Sequence, residues 1–323
     1  MTWQALLIAS AVLAYSGAAS AQGKRAAYPA RPIRLIVSVA PGAGADAIAR
    51  AAAQMLTDRW GQNAVVDNRP GGSGVIAAEL VARAAPDGYT ILSLGDTLML
   101  LGAMKRVSFD VLTAFDPIVP TSAQPYVLLA NLNVPFKSIR ELVAYSATHA
   151  VTYSGSTGVG STVHLGMEQL AQLSGARLLF IPYKGSAPAI IAVTGGEIHM
   201  AAASSIAASA AIRTGKVRAL AALSLARIPA LPDLPTVAEQ GFPGFKITNR
   251  YGLYAPAGTP RGIVNAINRV VSDGMHSPQM TQRLQADGSQ PAEHMTPGEL
   301  KAAIAHEYAE IEQQVRQMNI KIQ

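Results

Sequence analysis

The amino-acid sequence predicts an α/β protein built from two Rossmann-like lobes joined by a hinge. Strand-like and helix-like runs alternate along most of the chain, which is typical of parallel sheets with right-handed crossovers. A strand followed by a glycine-rich turn and a helix start occurs early in the chain and again near its middle. Tyr251–Ala255 reads as a strand that returns to the first lobe, so the chain is expected to cross between the lobes twice.

The composition is that of a globular chain with room for two cores. The 323 residues include 28 Gly and 20 Pro but only 14% charged side chains, which is unlike a disordered protein. The net charge of +6 is dispersed, and no basic cluster carries interleaved aromatic residues, so the sequence argues against a nucleic-acid partner. The absence of cysteine excludes disulfides and a thiol nucleophile.

The first 21 residues predict a signal peptide. Ala5–Tyr15 is an apolar stretch of signal length, too short to span a bilayer, and Ala19-Ser20-Ala21 is a small-x-small cleavage site. The usual Lys or Arg is missing from Met1–Gln4, and the alternative is an apolar N-terminal helix of the mature fold. Export of a cysteine-free chain of this size predicts a soluble protein of the periplasm that begins near Gln22.

Three strand–turn–helix units open the first lobe. Ile33–Val39 is an apolar, β-branched run with the composition of a strand buried on both faces. Ala47–Leu56 follows with helix formers at helical spacing. Two more strands are predicted at Ala64–Asp67 and Tyr89–Leu94, with a helix at Val75–Ala84 between them.

Two short extended runs bracketed by prolines come next, Phe115–Val119 and Tyr126–Asn131, and the second is expected to cross into the second lobe. There the alternation of strands and helices resumes. The predicted strands are Val151–Ser154, Leu178–Pro182, Ile198–Ala203 and Val217–Ser224, and the predicted helices are Ser138–Tyr145, Val163–Leu173, one with Pro188 in its first turn, and Ile206–Arg213 with Ser204-Ser205 as its cap.

One helical turn at Thr236–Gln240 precedes the return strand, and three helices close the chain. Thr259 is expected to cap the first of these helices, with Pro260 at its first position. The closing helices are Arg261–Met275, Pro278–Ala286 and Pro297–Met318. The predicted organisation is a signal peptide at 1–21, a first lobe of 22–125 plus 250–323, and a second lobe of 126–249.

Each glycine-rich turn predicts an anion site that needs no basic side chain. Backbone N–H groups at such a turn lack helical partners and lie at the positive end of the helix dipole. The turns are Pro41–Asp46 in the first lobe and Gly155–Thr162 in the second. The alternative is that the glycines only shape tight turns and that Asp46 only orders the helix start.

Several polar side chains stand beside these turns. His164 could donate to a carboxylate or brace its loop, and Tyr183 could line the cleft. Asp96 or Thr97 could cap a helical turn after the third strand. The sequence lacks a G-x-x-x-x-G-K-[ST] loop, a G-x-S-x-G elbow and an H-x-x-x-H pair, so it predicts neither an enzyme nor a metal or cofactor site.

Several linked blocks carry a family resemblance over about residues 28–323. They read YPARPIRLIV with PGAGAD, VVDNRPGGSG, APDGYTIL, YSGSTGVGSTVHL, PYKGSAPA, IPALPDLPTVAEQGFPGF and YGLYAPAGTP. Their order and spacing resemble the Bug (Bordetella uptake gene) solute receptors of tripartite tricarboxylate transporters. The resemblance implies a periplasmic binding protein of the type II-like, Venus-flytrap form. It also implies a monomer that captures a small carboxylate and delivers it to membrane permease subunits.

The resemblance places the ligand between the two turns. The implied ligand-binding residues are Ala40, Pro41, Gly42, Ala43, Gly44, Ala45, Asp46, Asp96 and Thr97 in the first lobe, and Ser154, Gly155, Ser156, Thr157, Gly158, Val159, Gly160, Ser161, His164, Tyr183, Ala203 and Ser204 in the second. Backbone amides are expected to make most contacts. Valine at Gly155 or Gly158 is therefore expected to abolish binding while leaving the fold intact.

The chain departs from the family pattern at four points. Ser38 and Val39 stand where a Pro-Phe pair often precedes the first turn. Ala43 replaces the second glycine of the first turn, and no carboxylate stands near Ala203, where many relatives carry one. Without that carboxylate an amino-acid ligand would lose its ammonium partner, so a ligand without an amino group is favoured. Arg250 stands where an aromatic residue is frequent and either pairs with the ligand or lies at the hinge surface. Two other functions stay open: a sensor that signals to a membrane kinase, and a carboxylate-metabolising enzyme.

Overall fold

A computed structural model describes residues 28–155, 158–286 and 288–318. The predicted signal peptide, residues 1–21, lies outside the described residues, as do Ser156 and Thr157 of the second turn. Within the described ranges no helix combines the length and the apolar character needed to cross a membrane.

The first lobe opens with the three predicted strand–helix units. Its strands pair in parallel in the order β2-β1-β3, which confirms the parallel sheet. The elements are β1 (Ile33–Val37), α1 (Gly44–Trp60), β2 (Ala64–Asn68), α2 (Val75–Ala82), β3 (Thr90–Gly95) and α3 (Thr97–Ala103). Helix α1 ends where Gly61 adopts a left-handed conformation with φ 68°, as a glycine C-cap should.

The two predicted extended runs are a single strand, β4, of 17 residues (Phe115–Asn131). The prediction of two runs was wrong because prolines usually end strands. Here the register with the neighbouring strand shifts at Pro117 and again at Pro120, and these irregularities accommodate residues that lack an N–H. As a result β4 runs unbroken from the first lobe into the second.

The second lobe repeats the strand–helix alternation. Its strands β6, β5 and β7 pair in parallel, and β4 and β8 are antiparallel to their neighbours. The elements are α4 (Ile139–Ser146), β5 (Val151–Gly155), α5 (Thr162–Ser174), β6 (Leu178–Phe180), α6 (Ser186–Gly195), β7 (Met200–Ser204), α7 (Ser205–Arg213) and β8 (Val217–Ala222).

The chain then returns and completes one sheet of order β2-β1-β3-β9-β4-β7-β5-β6, with β8 and β10 both beside β4. The returning elements are β9 (Thr248–Pro256), α8 (Arg261–Met275), α9 (Pro278–Ala286), β10 (Gln290–Pro291) and α10 (Pro297–Met318). The bounds of the three closing helices agree with the sequence expectation.

Alternate residues of β4 enter two different apolar cores in the second lobe. Tyr126, Leu128 and Ala130 pack on one face of the sheet, and Val127 and Leu129 pack on the other. This period-2 alternation is what a strand with helices on both faces requires. The sheet is therefore covered on both sides where it carries the second turn.

Three predicted local features were wrong. Thr236–Gln240 is a hydrogen-bonded turn rather than a helical one. The Thr259 hydroxyl donates to the carbonyl of Pro256, and α8 begins at Arg261 without a side-chain cap. Ser204 precedes α7, but its side chain makes no cap hydrogen bond.

Candidate functional site

The first turn leads directly into the unprotected end of α1. Ala43 is in an extended conformation before the helix and gives it no side-chain cap. Within the described residues the backbone N–H groups of Gly44, Ala45 and Asp46 have no acceptor, whereas that of Ala47 bonds to the carbonyl of Ala43 at 3.1 Å. These donors, together with the helix dipole, make the turn receptive to an anion.

The carboxylate of Asp46 is fully used in holding this turn. It accepts the Gly42 N–H at 3.0 Å, two bonds from Arg50 at 2.9 and 3.0 Å, and one from Asn68 at 2.9 Å. Burial by itself would raise the pKa of Asp46, but these hydrogen bonds hold it below the ordinary value. Asp46 therefore orders the helix start, which was the alternative to direct ligand contact, and offers no free oxygen to a ligand.

The second turn is braced by the helix that follows it. The Ser161 hydroxyl accepts the backbone N–H of His164 at 3.2 Å, and the His164 Nδ1 accepts the N–H of Gly160 at 3.0 Å. Burial lowers the pKa of His164, and the nearby carboxylate of Glu168 opposes this shift. Of the two roles open to His164, the structure shows the bracing one.

Gly155 is required by packing within the sheet and not, as expected, by the space that a bound anion needs. It is the last residue of β5, and a Cβ built there would lie 2.5 Å from the carbonyl oxygen of Ala202 and 2.7 Å from the side chain of Val163. A valine at this position would therefore disrupt the sheet, and the expectation that the fold survives it was wrong. Gly158 has φ 111°, which favours glycine whatever surrounds it.

The two lobes contact one another directly around these turns. The Ala40 N–H donates to the carbonyl of Lys184 at 3.0 Å, and the Ser73 hydroxyl donates to the carbonyl of Val159. The hydroxyls of Thr97 and Thr162 lie 3.4 Å apart. The structure thus brings together the first turn, the second turn and Thr97, with the lobes closed on each other.

The tip of the first turn is at the surface, where Pro41 and Gly42 are exposed. A Cβ on Gly42 would lie 3.7 Å from that of Ala187, which is in the first turn of α6. Helix α6 follows Gly185 and, like α1, has no side-chain cap. A second uncapped helix start therefore lies beside the first.

The carboxylate of Asp96 is bonded to the start of β9. It accepts the backbone N–H of Arg250 at 3.0 Å and lies 3.7 Å from the guanidinium, which also pairs with Glu307. Burial raises the pKa of Asp96 to about 6, although Arg250 opposes this shift. Arg250 is thus paired with Asp96 and Glu307, and the expectation that Asp96 caps α3 with its side chain was wrong.

Tyr183 and Ala203, two further candidates, make their contacts away from the two turns. The Tyr183 hydroxyl donates to Glu197 at 3.2 Å, beyond the end of α6. Ala203 is completely buried among apolar neighbours that include Val127 and Ala189. Neither side chain offers a polar group to the two turns.

Four buried polar atoms have no hydrogen-bond partner in the described structure near the ends of the strands that carry the turns. They are the hydroxyl oxygens of Ser38, Ser154 and Ser204 and the side-chain oxygen of Gln124. Buried polar groups without partners are uncommon and mark sites that a ligand or water completes. Sequence reasoning missed Ser38 and Gln124. The available signal was a polar residue within an apolar strand.

Comparison with known proteins gives a consistent assignment. Residues 48–320 match the model of the tripartite tricarboxylate transporter family receptor. Protein BugT of Bordetella pertussis is 34% identical over 299 residues, which cover 91% of each chain.

Two similar solved structures come from Rhodopseudomonas palustris. Rpa4515 with adipate is 31% identical with a TM-score of 0.84, covering 91% of this chain and 99% of that one. MatC with bound malate is 28% identical with a TM-score of 0.82, covering 88% and 99%. The closed two-lobed α/β fold and the family match agree, and this chain belongs to the tripartite tricarboxylate transporter receptor family.

Proposed function

We propose that this chain is an extracytoplasmic solute receptor that captures a small carboxylate between its lobes and delivers it to a tripartite tricarboxylate transporter. The observation that carries the proposal is the first turn of α1, where the N–H groups of Gly44, Ala45 and Asp46 have no acceptor in the described structure. Family membership supports the role, and two similar receptors were solved with the dicarboxylates adipate and malate.

Backbone amides are sufficient for the affinity that such a receptor needs. A hydrogen bond to a charged group contributes about 1.5–3 kcal/mol. Three or four such bonds, less the cost of association, correspond to a dissociation constant of about micromolar. Asp46, Arg50 and the His164 Nδ1 are bonded within the turns, while the guanidinium of Arg106 lies 3.9 Å from a Cβ built on Gly160 and places a cation beside the second turn. In the first turn the main-chain donors without an acceptor favour recognition through the backbone.

We place the boundary between the lobes inside β4 and at the start of β9, with 22–125 plus 250–323 as the first lobe and 126–249 as the second. A change of partner along β4 supports this division. Pro125 pairs with Thr248 of β9, whereas Tyr126 pairs with Ser204 of β7. The two connections thus run side by side, as a hinge requires.

We further propose that the ligand contacts the turns Ala40–Asp46 and Ser154–Ser161, and that the mature protein works as a periplasmic monomer alongside permease subunits. The protein acts as a binding protein rather than an enzyme. The carboxylates of Asp46 and Asp96 and the Nδ1 of His164 all make structural bonds, which leaves none of these groups free as a general base.

Binding to a panel of mono-, di- and tricarboxylates tests the proposal. Thermal shift identifies a ligand and calorimetry measures its affinity, and a hundredfold excess over the dissociation constant should stabilise the protein by about 2.7 kcal/mol. Matching uncharged amides serve as controls and should not bind. Binding of the amides instead of the acids would contradict the proposal, and chemical conversion of a bound acid would indicate an enzyme.

A further inference from the structure

Two buried side chains from different strands meet at the start of α1. Gln124 of β4 is completely buried, and its Nε2 donates to the Ser122 hydroxyl at 3.2 Å while its Oε1 has no partner in the described structure. Ser204, the last residue of β7, is 2% exposed, and its hydroxyl has no partner either. The Gln124 amide oxygen and the Ser204 hydroxyl are thus both buried and both able to form a further hydrogen bond.

Both groups face the first residue of α1. A Cβ built on Gly44 would lie 2.3 Å from the Ser204 Oγ and 2.5 Å from the Gln124 Oε1. Only a glycine leaves these polar atoms in contact with the helix start. The same residue carries one of the three N–H groups without an acceptor, so both polar atoms contact the residue whose N–H would hold a carboxylate.

The pair is electrically neutral, and the carboxylates near it already form hydrogen bonds or ion pairs with other groups of the protein. The carboxylate oxygens of Asp46 accept hydrogen bonds from Gly42, Arg50 and Asn68. Asp96 is bound to Arg250. A ligand ammonium placed beside Gln124 would therefore gain no free counter-charge and would lose its hydration, which is costly in a buried site.

We propose that Gln124 and Ser204 form a subsite for a hydroxyl group of the ligand, so that the receptor selects hydroxycarboxylates over their deoxy and amino analogues. This inference rests on the proposed carboxylate-binding function. A hydroxyl both donates and accepts, and it satisfies the amide of Gln124 and the hydroxyl of Ser204 together. A methylene in its place leaves both buried groups unpaired, which a site of this kind rejects strongly.

Matched ligand series test the selection by calorimetry. Three sets differ only in one substituent: malate, succinate and aspartate; lactate, propionate and alanine; mandelate, phenylacetate and phenylglycine. In the series that the protein binds, the hydroxy acid should bind about tenfold or more tightly than the other two. Equal affinity for the hydroxy and deoxy members would overturn the inference.

Two variants assign the selection to these residues. Gln124→Leu and Ser204→Ala should each reduce the preference for the hydroxy acid to about threefold or less, while the deoxy acid keeps most of its affinity. Ser209→Ala is the matched control, because it removes another buried, unpartnered hydroxyl from α7 beyond its first turn. Thermal unfolding of each variant confirms that it is folded.

The outcomes separate this inference from the proposed function. If the wild-type protein binds none of the acids in these series or in the wider carboxylate panel, the proposed function fails. If it binds acids of the panel but no hydroxy acid, the proposed function stands and the subsite is wrong. If the wild-type protein prefers hydroxy acids and both variants keep that preference, the selection lies elsewhere and the subsite is wrong. A loss of preference in Ser209→Ala equal to that in Ser204→Ala would also contradict it.

Discussion

The His164 Nδ1 accepts the backbone N–H of Gly160 at 3.0 Å, so a side chain in the first turn of α5 fixes the glycine-rich turn that precedes it. This bond requires an unprotonated Nδ1. Burial, which lowers the pKa of His164, keeps the ring in that state. The conformation of the second turn is thereby tied to pH.

We predict that ligand affinity and stability both fall in mild acid. The pKa of His164 is lower in the folded protein than the ordinary value of about 6.5. Its contribution is therefore complete above that value and is lost as the pH falls through the folded pKa. Calorimetry between about pH 5 and 8 should show the decline, and an NMR titration should assign it to this ring.

Substitutions of His164 separate its effect on the pH dependence of ligand binding from its hydrogen bond to the second turn. In His164→Asn the amide oxygen still accepts the Gly160 N–H, so binding should persist and its dependence on mild acid should weaken. His164→Leu leaves that N–H unpaired and should cost about 1–3 kcal/mol at neutral pH, and this difference from the wild type should shrink in mild acid, where the wild-type ring also loses the bond. An unchanged pH profile in His164→Asn would show that another group titrates.

The second prediction concerns Ser73, whose hydroxyl donates to the Val159 carbonyl across the closed lobes. Ser73→Ala should weaken ligand binding by about three- to tenfold, because the closed state loses a hydrogen bond of about 1 kcal/mol. The loss should appear as faster ligand release in stopped-flow measurements.

Ser73→Gly is the informative companion variant. Ser73 has φ 59°, a left-handed conformation that glycine adopts without strain. The glycine variant should be more stable than Ser73→Ala yet release ligand equally fast. Release at the wild-type rate in both variants would show that this contact does not hold the lobes closed.

The third prediction concerns Gly44. In Gly44→Ala the new methyl would lie 2.3 Å from the Ser204 Oγ and 2.5 Å from the Gln124 Oε1, so the lobes cannot close as they do here. Ligand affinity should fall at least tenfold, by calorimetry, because the clash with Ser204 lies between the lobes. Opening the cleft relieves that clash, so the loss of thermal stability in the unliganded protein is limited to shifting the flexible Gln124 side chain within the first lobe.

Gly262→Ala is the matched control, since Gly262 also lies in the first turn of a helix but has no atom within 4 Å of an added Cβ. It should bind normally and gain about 0.5–1 kcal/mol in stability. Normal ligand affinity in Gly44→Ala would remove the start of α1 from the site.

The fourth prediction concerns the stability of the first turn. Asp46→Asn loses the charge that pairs with Arg50 and should reduce the free energy of unfolding by about 1–2 kcal/mol at pH 7. Because the pKa of Asp46 is lowered on folding, its contribution is present above the ordinary aspartate value and is lost as the pH falls through the folded pKa. Urea unfolding should therefore show the two proteins converging below about pH 4.

Local signals predicted the helices well. Pro278 and Pro297 mark helix starts, and both helices begin there. The parallel strand–helix units of both lobes also followed from hydrophobic patterning and glycine-rich turns. These features depend on residues that are neighbours in the chain, so sequence alone contains them.

The remaining features depend on contacts between distant segments. Pro117 and Pro120 suggested breaks, but a neighbouring strand accommodates them through shifts in register. Gln124 lies beside the start of α1 only because the fold brings β4 and α1 together. A glycine is required at 155 because the carbonyl of Ala202, on a different strand, would clash with a Cβ there. Side-chain roles in the cleft could not be assigned before the lobes were brought together.

The unbroken course of β4 through both lobes has a mechanical consequence. With the lobe boundary that we propose, opening the receptor twists paired β-strand at Pro125 and Tyr126 instead of bending a flexible linker. Insertion of a fluorescent reporter at Pro125 or Tyr126 would interrupt β4, the strand that couples the movements of the two lobes. The exposed residues Pro232 and Asp233, in the Pro-rich segment 229–235, are a better place to attach one.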